Sequence, residues 1–146
     1  MIRNSLLPDV AIAGAGLIGL SIAFELAERG AVVRVYDRAA PARAASWAGA
    51  GMLAPYTESA RDETLLGLCA ASLREYPSFV ERVRAASGVD PHLRLDGIVH
   101  AAFGAEQAAA LERRAAELRA RGVACERLDR TQTLSREPWL GGHVSG

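Results

Sequence analysis

The sequence contains no lysine, so all 17 of its basic side chains are arginines. They are balanced by 17 acidic side chains, which gives a formal net charge of zero. A chain without an excess of either charge has no electrostatic reason to bind nucleic acid or an acidic surface, and we predict neither partner. The arginine bias and the abundance of alanine are typical of a GC-rich genome, and we attach no function to them.

Cysteine is also scarce, since Cys69 and Cys125 are the only two. Their separation matches no metal-binding or redox spacing, so we expect two reduced thiols in a cytoplasmic protein. The three histidines, His92, His100 and His143, share no metal-like spacing either. The sequence therefore predicts no metal site.

Long hydrophobic runs are missing as well. The most apolar stretch, residues 10–24, is shorter than the ~20 residues that a membrane-spanning helix needs. Asp9 interrupts its start, and Glu25 stands where the cleavage region of a signal peptide would lie. We expect no membrane partner, and we expect residues 1–8 to be a frayed lead-in. By length, the chain corresponds to one domain.

A complete strand–helix–strand pattern is present between residues 10 and 37. The first predicted strand ends at a GxGxxG sequence formed by Gly14, Gly16 and Gly19. In dinucleotide-binding proteins the first glycine permits a tight turn, the second lets a pyrophosphate approach the backbone, and the third lets the helix pack closely. The start of the helix offers free N–H groups and the positive end of its dipole to phosphates.

An acidic residue, Asp37, follows the second predicted strand. At this position a carboxylate can accept hydrogen bonds from both hydroxyls of a ribose, and it would repel a 2′-phosphate. The pattern therefore predicts a dinucleotide site and disfavours NADP. Taken alone, it fits FAD and NAD equally well.

Beyond Asp37 the predicted elements do not continue a parallel sheet, as those of an ordinary NAD dehydrogenase would. They suggest instead the start of a second domain built around antiparallel strands. In chain order they are a loop of small residues (38–52), a helix (62–87) with a kink or break at Pro77, a hairpin (strands 93–95 and 98–103), a helix (105–121), a weak strand (125–128) and a short helix (131–135) capped by Asp129.

The loop of small residues contains the block ASWAGAGMLAP, residues 45–55. Together with residues 10–37, this block resembles the amino-terminal part of glycine oxidases, the thiamine-pathway members of the D-amino-acid oxidase family of flavoproteins. The resemblance extends over essentially the whole chain. The block is more specific to this family than the glycine motif, and it favours FAD over NAD.

The resemblance implies an extended FAD molecule whose flat ring lies beside small side chains. The implied contacts are Asp37 and Arg38 at the adenosine ribose; Gly14, Gly16, Leu17, Ile18 and Gly19 at the pyrophosphate; Ala45 and Ser46 on the phosphate side; and Ala50, Gly51 and Met52 beside the isoalloxazine ring. Backbone N–H groups near the ring could stabilise the negative charge that develops on reduction.

Members of the family transfer a hydride from a small amine or amino acid to the flavin, and dioxygen then reoxidises the flavin with release of peroxide. Because the flavin carries the reaction, we predict no catalytic residue in this chain. The family binds the substrate carboxylate through an arginine of the carboxy-terminal half, which this chain lacks. Asp37 replaces the usual glutamate, and Trp47 stands where a smaller residue is common.

The predicted fold class is α/β. Residues 1–60 are expected to form a Rossmann-like FAD-binding βαβ unit with the flavin loop. Residues 61–146 are expected to form part of an α+β substrate domain (helix, hairpin, helix). A short parallel sheet leaves an uncovered edge, so we expect an incomplete fold that is inactive alone. An NAD-binding module and a non-catalytic remnant are the alternatives; the substrate and a homo-oligomer are left open.

Overall fold

The computed structural model describes residues 7–58, 62–141 and 143–145. Contacts between Cα atoms divide the chain into two units, Met1–Met52 and Leu53–Gly146. The division lies near the boundary that the sequence predicts after residue 60. The assignment of a cofactor role to one part and a substrate role to the other stays a prediction.

The first unit contains the predicted strand–helix–strand pattern. Strand β1 (Val10–Ala13) and strand β2 (Val33–Tyr36) are joined by helix α1 (Leu17–Glu28). The strands pair in parallel, with Val10 opposite Val33. In both strands half-buried residues alternate with exposed ones, as expected where one face of the sheet is packed and the other is open to solvent. The βαβ unit that the sequence predicts is therefore present.

The remaining elements are helices. Helix α2 (Ala45–Ala48) lies in the first unit. The second unit contains helices α3 (Pro55–Glu58), α4 (Glu63–Ser87), α5 (Ala105–Ala120) and α6 (Arg130–Arg136), followed by a 3₁₀ turn (Pro138–Leu140). Among the described residues, no helix combines the length and the apolar character that crossing a membrane requires.

Local chemistry sets the ends of α4. The side chain of Asp62 accepts a hydrogen bond from the N–H of Leu65, and Gly88 ends the helix in the left-handed conformation. The sequence predicts a kink or a break at Pro77, and the helix continues through this residue without a break. A proline removes one backbone donor, and the turns on both sides of it remain bonded in a helix of 25 residues.

The short helix α6 has a capping box. The carboxylate of Asp129 accepts from the N–H of Gln132 at 2.8 Å, and the Gln132 side chain accepts from the N–H of Asp129 at 2.8 Å. Thr133, the next residue of α6, is buried, and its hydroxyl donates a hydrogen bond to the carbonyl of Asp129. The sequence prediction of a short helix capped by Asp129 is confirmed.

The antiparallel hairpin predicted at residues 93–95 and 98–103 is not found, and neither is the weak strand at 125–128. These described residues lie outside helices and strands, and Leu95 and Ile98 are more than half exposed. A two-stranded hairpin is marginally stable unless a third strand or a helix packs on it, and no described strand pairs with this segment. The structure therefore corrects the predicted antiparallel part of the fold.

Candidate functional site

The turn between β1 and α1 has a shape that its glycines permit. Gly14 has a φ of +106°, a conformation that side-chain-bearing residues rarely adopt. Its N–H donates to the carbonyl of Tyr36 at the end of β2, at 2.7 Å. The turn is thus fixed to the carboxyl end of the sheet, which is where open α/β sheets bind ligands.

Two further glycines keep the start of α1 close to the turn. A Cβ atom at Gly19 would overlap the carbonyl oxygen of Gly14 and lie 3.1 Å from its carbonyl carbon. A Cβ atom at Gly16 would lie 3.1 Å from the Oγ of Ser46. The glycine spacing therefore serves close packing in this structure, whatever the turn binds.

Helix α1 begins with N–H groups that have no carbonyl partner within the helix. Its first internal hydrogen bond runs from the N–H of Leu20 to the carbonyl of Gly16, so the N–H groups of Leu17, Ile18 and Gly19 precede the ladder. These N–H groups form the positive end of the helix dipole, and an anion is favoured next to them. The side chains of Leu17 and Ile18 are mostly exposed.

Asp37 is bonded directly to the glycine turn. One of its carboxylate oxygens, Oδ2, accepts from the N–H of Ala15 at 2.7 Å, and the other, Oδ1, accepts from the N–H of Ala39 at 2.9 Å. A carboxylate offers about four acceptor positions, so these two bonds do not use up its capacity to accept from a ribose hydroxyl. The acidic residue therefore lies at the mouth of the turn, as a dinucleotide site requires.

The same hydrogen bonds act on the acidity of Asp37. The N–H of Ala15 contributes most to lowering the pKa of this carboxyl below its ordinary value of 3.8, followed by the N–H of Ala39. Partial desolvation opposes the shift, and the N–H and then the positive charge of Arg38 lower the pKa further. The group is therefore ionised at neutral pH and acts as a hydrogen-bond acceptor.

Ser46, on helix α2, lies next to the start of α1. Its Oγ accepts from the N–H of Leu17 at 2.8 Å, although the two residues are far apart in sequence. This bond caps α1 from a distant segment, since the N-cap residue Gly16 has no side chain for that role. The hydroxyl of Ser46 is itself a donor that a phosphate oxygen could accept from.

Replacing Ser46 with alanine is expected to lower the free energy of unfolding by about 1 kcal/mol, because the N–H of Leu17 loses its partner. Ser46→Thr keeps the hydroxyl and is the matched control, with a smaller expected loss. Urea unfolding followed by circular dichroism measures both. Equal stability of Ser46→Ala and the unsubstituted chain would contradict a capping role.

The segment predicted to border the flavin ring follows helix α2. Ala50, Gly51 and Met52 lie outside helices and strands, Gly51 has a φ of +74°, and Met52 is 68% exposed. Within the part of the chain that the structure describes, no hydrogen bond joins these residues to the glycine turn. The structure thus joins Asp37 and Ser46 to the glycine turn, and the contacts predicted for Ala50, Gly51 and Met52 at the ring stay predictions.

Sequence reasoning missed the backbone contacts that hold these residues together. The N–H of Ala15 bonds Asp37, and its carbonyl accepts from the N–H of Ala42 at 2.8 Å. Ala42 has a φ of +58°, which is uncommon for a residue other than glycine. No property of an alanine side chain could have predicted these contacts.

Comparisons with known proteins agree with this geometry. The profile of the DAO family, described as FAD dependent oxidoreductase, matches residues 9–146. The glycine oxidase of Geobacillus kaustophilus is 34% identical over 136 residues, which make up 93% of this chain and 36% of that protein. The bifunctional protein ThiO/ThiG of Trichormus variabilis is 44% identical over 82 residues, 56% of this chain and 12% of that protein.

The chain belongs to the family of FAD-dependent oxidoreductases. The structural comparison gives the same result, since the crystal structure of the Geobacillus kaustophilus glycine oxidase superposes with a TM-score of 0.87 at 33% identity. That superposition covers 95% of this chain and 38% of the other. The chain therefore spans little more than a third of the length of the Geobacillus kaustophilus enzyme.

Membership of this family decides between the two cofactors that the glycine motif left open. FAD is the cofactor, and the resemblance to glycine oxidases noted in the sequence is confirmed. The residues present fit an adenine dinucleotide, because the Asp37 carboxylate is hydrogen-bonded to the glycine turn and helix α1 begins with N–H groups that precede its hydrogen-bond ladder. Which atoms of FAD each residue contacts stays a prediction.

Proposed function

We propose that this chain is the FAD-binding amino-terminal part of an oxidase that acts on a small amine or amino acid such as glycine. The observation that carries the proposal is the attachment of Asp37 and Ser46 to the glycine turn, in a chain 34% identical to a glycine oxidase. The chemistry that bound FAD supplies is acceptance of a hydride from the carbon next to an amine nitrogen, with release of peroxide once dioxygen takes the electrons.

The chain's own residues bind and orient the adenosine end of the cofactor in this proposal. The remaining acceptor capacity of the Asp37 carboxylate serves the ribose hydroxyls. The N–H groups of Ile18 and Gly19 and the hydroxyl of Ser46 donate to the pyrophosphate. Arg38 is a proposed contact beside the adenosine ribose and Ala45 one on the phosphate side. The proposed contacts beside the isoalloxazine ring are Ala50, Gly51 and Met52.

The substrate and the turnover belong to the part of the proposal that reaches beyond this chain. The chain covers 36% of the Geobacillus glycine oxidase, so most of that enzyme has no counterpart here. We expect the chain alone to release no peroxide, because no group in it is predicted to hold the substrate. A cytoplasmic location is also proposed, since Cys69 and Cys125 are not joined in a disulfide, as is usual in reducing compartments.

Cofactor titration of the purified chain tests this proposal. We expect ADP and FAD to bind more tightly than NAD, and we expect no peroxide with glycine, sarcosine or a small D-amino acid. The Asp37→Ala variant is the control, and it should bind ADP and FAD much more weakly. Tighter binding of NAD would favour the dehydrogenase alternative. Binding of no nucleotide would favour a non-catalytic remnant, and peroxide production would show that the chain is a complete oxidase.

A further inference from the structure

The side chains of Arg43 and Trp47 form a stacked pair in the first unit. The guanidinium carbon of Arg43 lies 4.3 Å from the centroid of the Trp47 ring, within the range of a cation–π contact. The ring is 69% exposed, so the pair lies at the surface and does not fill a core. Such a contact fixes the orientation of a side chain that would otherwise be mobile.

The segment that carries this pair is attached to the glycine turn at two points. At one end the N–H of Ala42 donates to the carbonyl of Ala15, and at the other the Oγ of Ser46 accepts from the N–H of Leu17. Arg43 directly follows the first contact, and Trp47 directly follows the second. The pair is therefore held close to the start of α1.

The backbone conformation of Ala42 is further evidence that this segment is held in one place. Its φ of +58° costs free energy in a residue with a Cβ, so the surrounding contacts must stabilise it. Strain of this kind is concentrated where a segment has to be held in one place for binding. Here it turns the chain so that Arg43 begins the stretch leading to α2.

The positive charge of Arg43 is available to bind an anionic ligand. Among the described residues no carboxylate forms an ion pair with Arg43, so its guanidinium keeps its N–H donors for another acceptor. The start of a helix supplies only about half a positive charge, whereas the pyrophosphate of FAD carries two negative charges. A planar guanidinium is well suited to bind phosphate oxygens through two parallel hydrogen bonds.

We propose that Arg43, held in place by Trp47, is a positioning residue for the pyrophosphate of FAD. The inference rests on the proposed function of the same site and adds a residue pair to it. It also assigns a role to Trp47, the residue that departs from the small side chain common at this position. The expected consequence is a phosphate contact that lysine cannot fully replace.

Calorimetric titration of the full chain with ADP tests the proposal. Arg43→Gln is expected to raise the Kd for ADP about tenfold, and Arg43→Lys about threefold, because lysine keeps the charge and loses the planar fork. Arg29→Gln is the matched control, since it removes the same charge at the opposite end of α1 and should leave the Kd unchanged. An unchanged Kd in Arg43→Gln would overturn the inference while leaving the proposed function intact.

The contribution of Trp47 is tested through its dependence on Arg43. Trp47→Leu should weaken ADP binding in the unsubstituted chain and have little further effect in the Arg43→Gln chain, since the indole acts through the guanidinium. An equal loss in both backgrounds would overturn the inference, because the indole would then contact the nucleotide by itself. Failure of the unsubstituted chain to bind ADP would contradict both this inference and the proposed function.

Discussion

Gly19→Ala is expected to abolish binding of ADP and FAD and to lower the free energy of unfolding by about 3 kcal/mol. The added Cβ would overlap the carbonyl oxygen of Gly14, and a backbone atom cannot rotate away as a side chain can. Either α1 moves off β1 or the turn changes shape, and both displace the N–H groups at the start of α1. Urea unfolding and calorimetric titration with ADP measure the two effects.

Gly67→Ala is the matched control for this change. Gly67 also lies within a helix, α4, but nothing lies within 4 Å of the position that its Cβ would occupy. Because alanine favours helix formation over glycine, this variant should gain up to about 1 kcal/mol and bind ADP normally. If both substitutions destabilised the chain equally, the close packing at Gly19 would not be the cause.

The second large effect is expected at Asp37. Asp37→Ala should raise the Kd for ADP about a hundredfold, because it removes a charged acceptor and leaves two backbone N–H groups without their partner. Asp37→Asn should lose nearly as much, since its single amide oxygen cannot serve both N–H groups and a ribose. Asp37→Glu should keep most of the affinity for ADP, because glutamate is the usual residue at this position in the glycine oxidases that the chain resembles.

The pH dependence at Asp37 has a definite sign. Its pKa is lower in the folded chain than the ordinary value of 3.8, so folding favours the ionised form. The stabilising contribution is therefore complete above the unfolded pKa and is lost as the pH falls through the folded one. ADP binding should therefore persist at every pH above 3.8 and decline only as the pH falls below that value. A decline that began near neutral pH would contradict the role of this carboxylate.

The strand–helix–strand unit could be predicted from the sequence because its determinants are local. Alternating valines, three spaced glycines and one acidic residue define β1, α1 and β2 within a short stretch of chain. The helix capped by Asp129 was predictable for the same reason. The hairpin around residues 93–103 was not, since the stability of a strand depends on partners distant in sequence.

In the candidate site, too, contacts between residues distant in sequence could not be predicted. Spacing alone placed Asp37 near the glycine turn, yet its actual partner is the N–H of Ala15, a backbone group that every non-proline residue has. The attachment of Ser46 to Leu17 and of Ala42 to Ala15 likewise joins segments through contacts that no side-chain pattern specifies. The resemblance identified these positions, and the structure supplied the reason for their proximity.

Amide chemical shifts recorded during titration with ADP test the central claim most directly. In a protein of 15.4 kDa, each backbone N–H can be followed separately. We predict that the largest changes occur at residues 14–19, at Arg38 and Ala39, and at residues 42–47, and that Asp37→Ala removes them. Changes confined to the second unit, or none at ADP concentrations that saturate other family members, would contradict binding of the cofactor at the glycine turn.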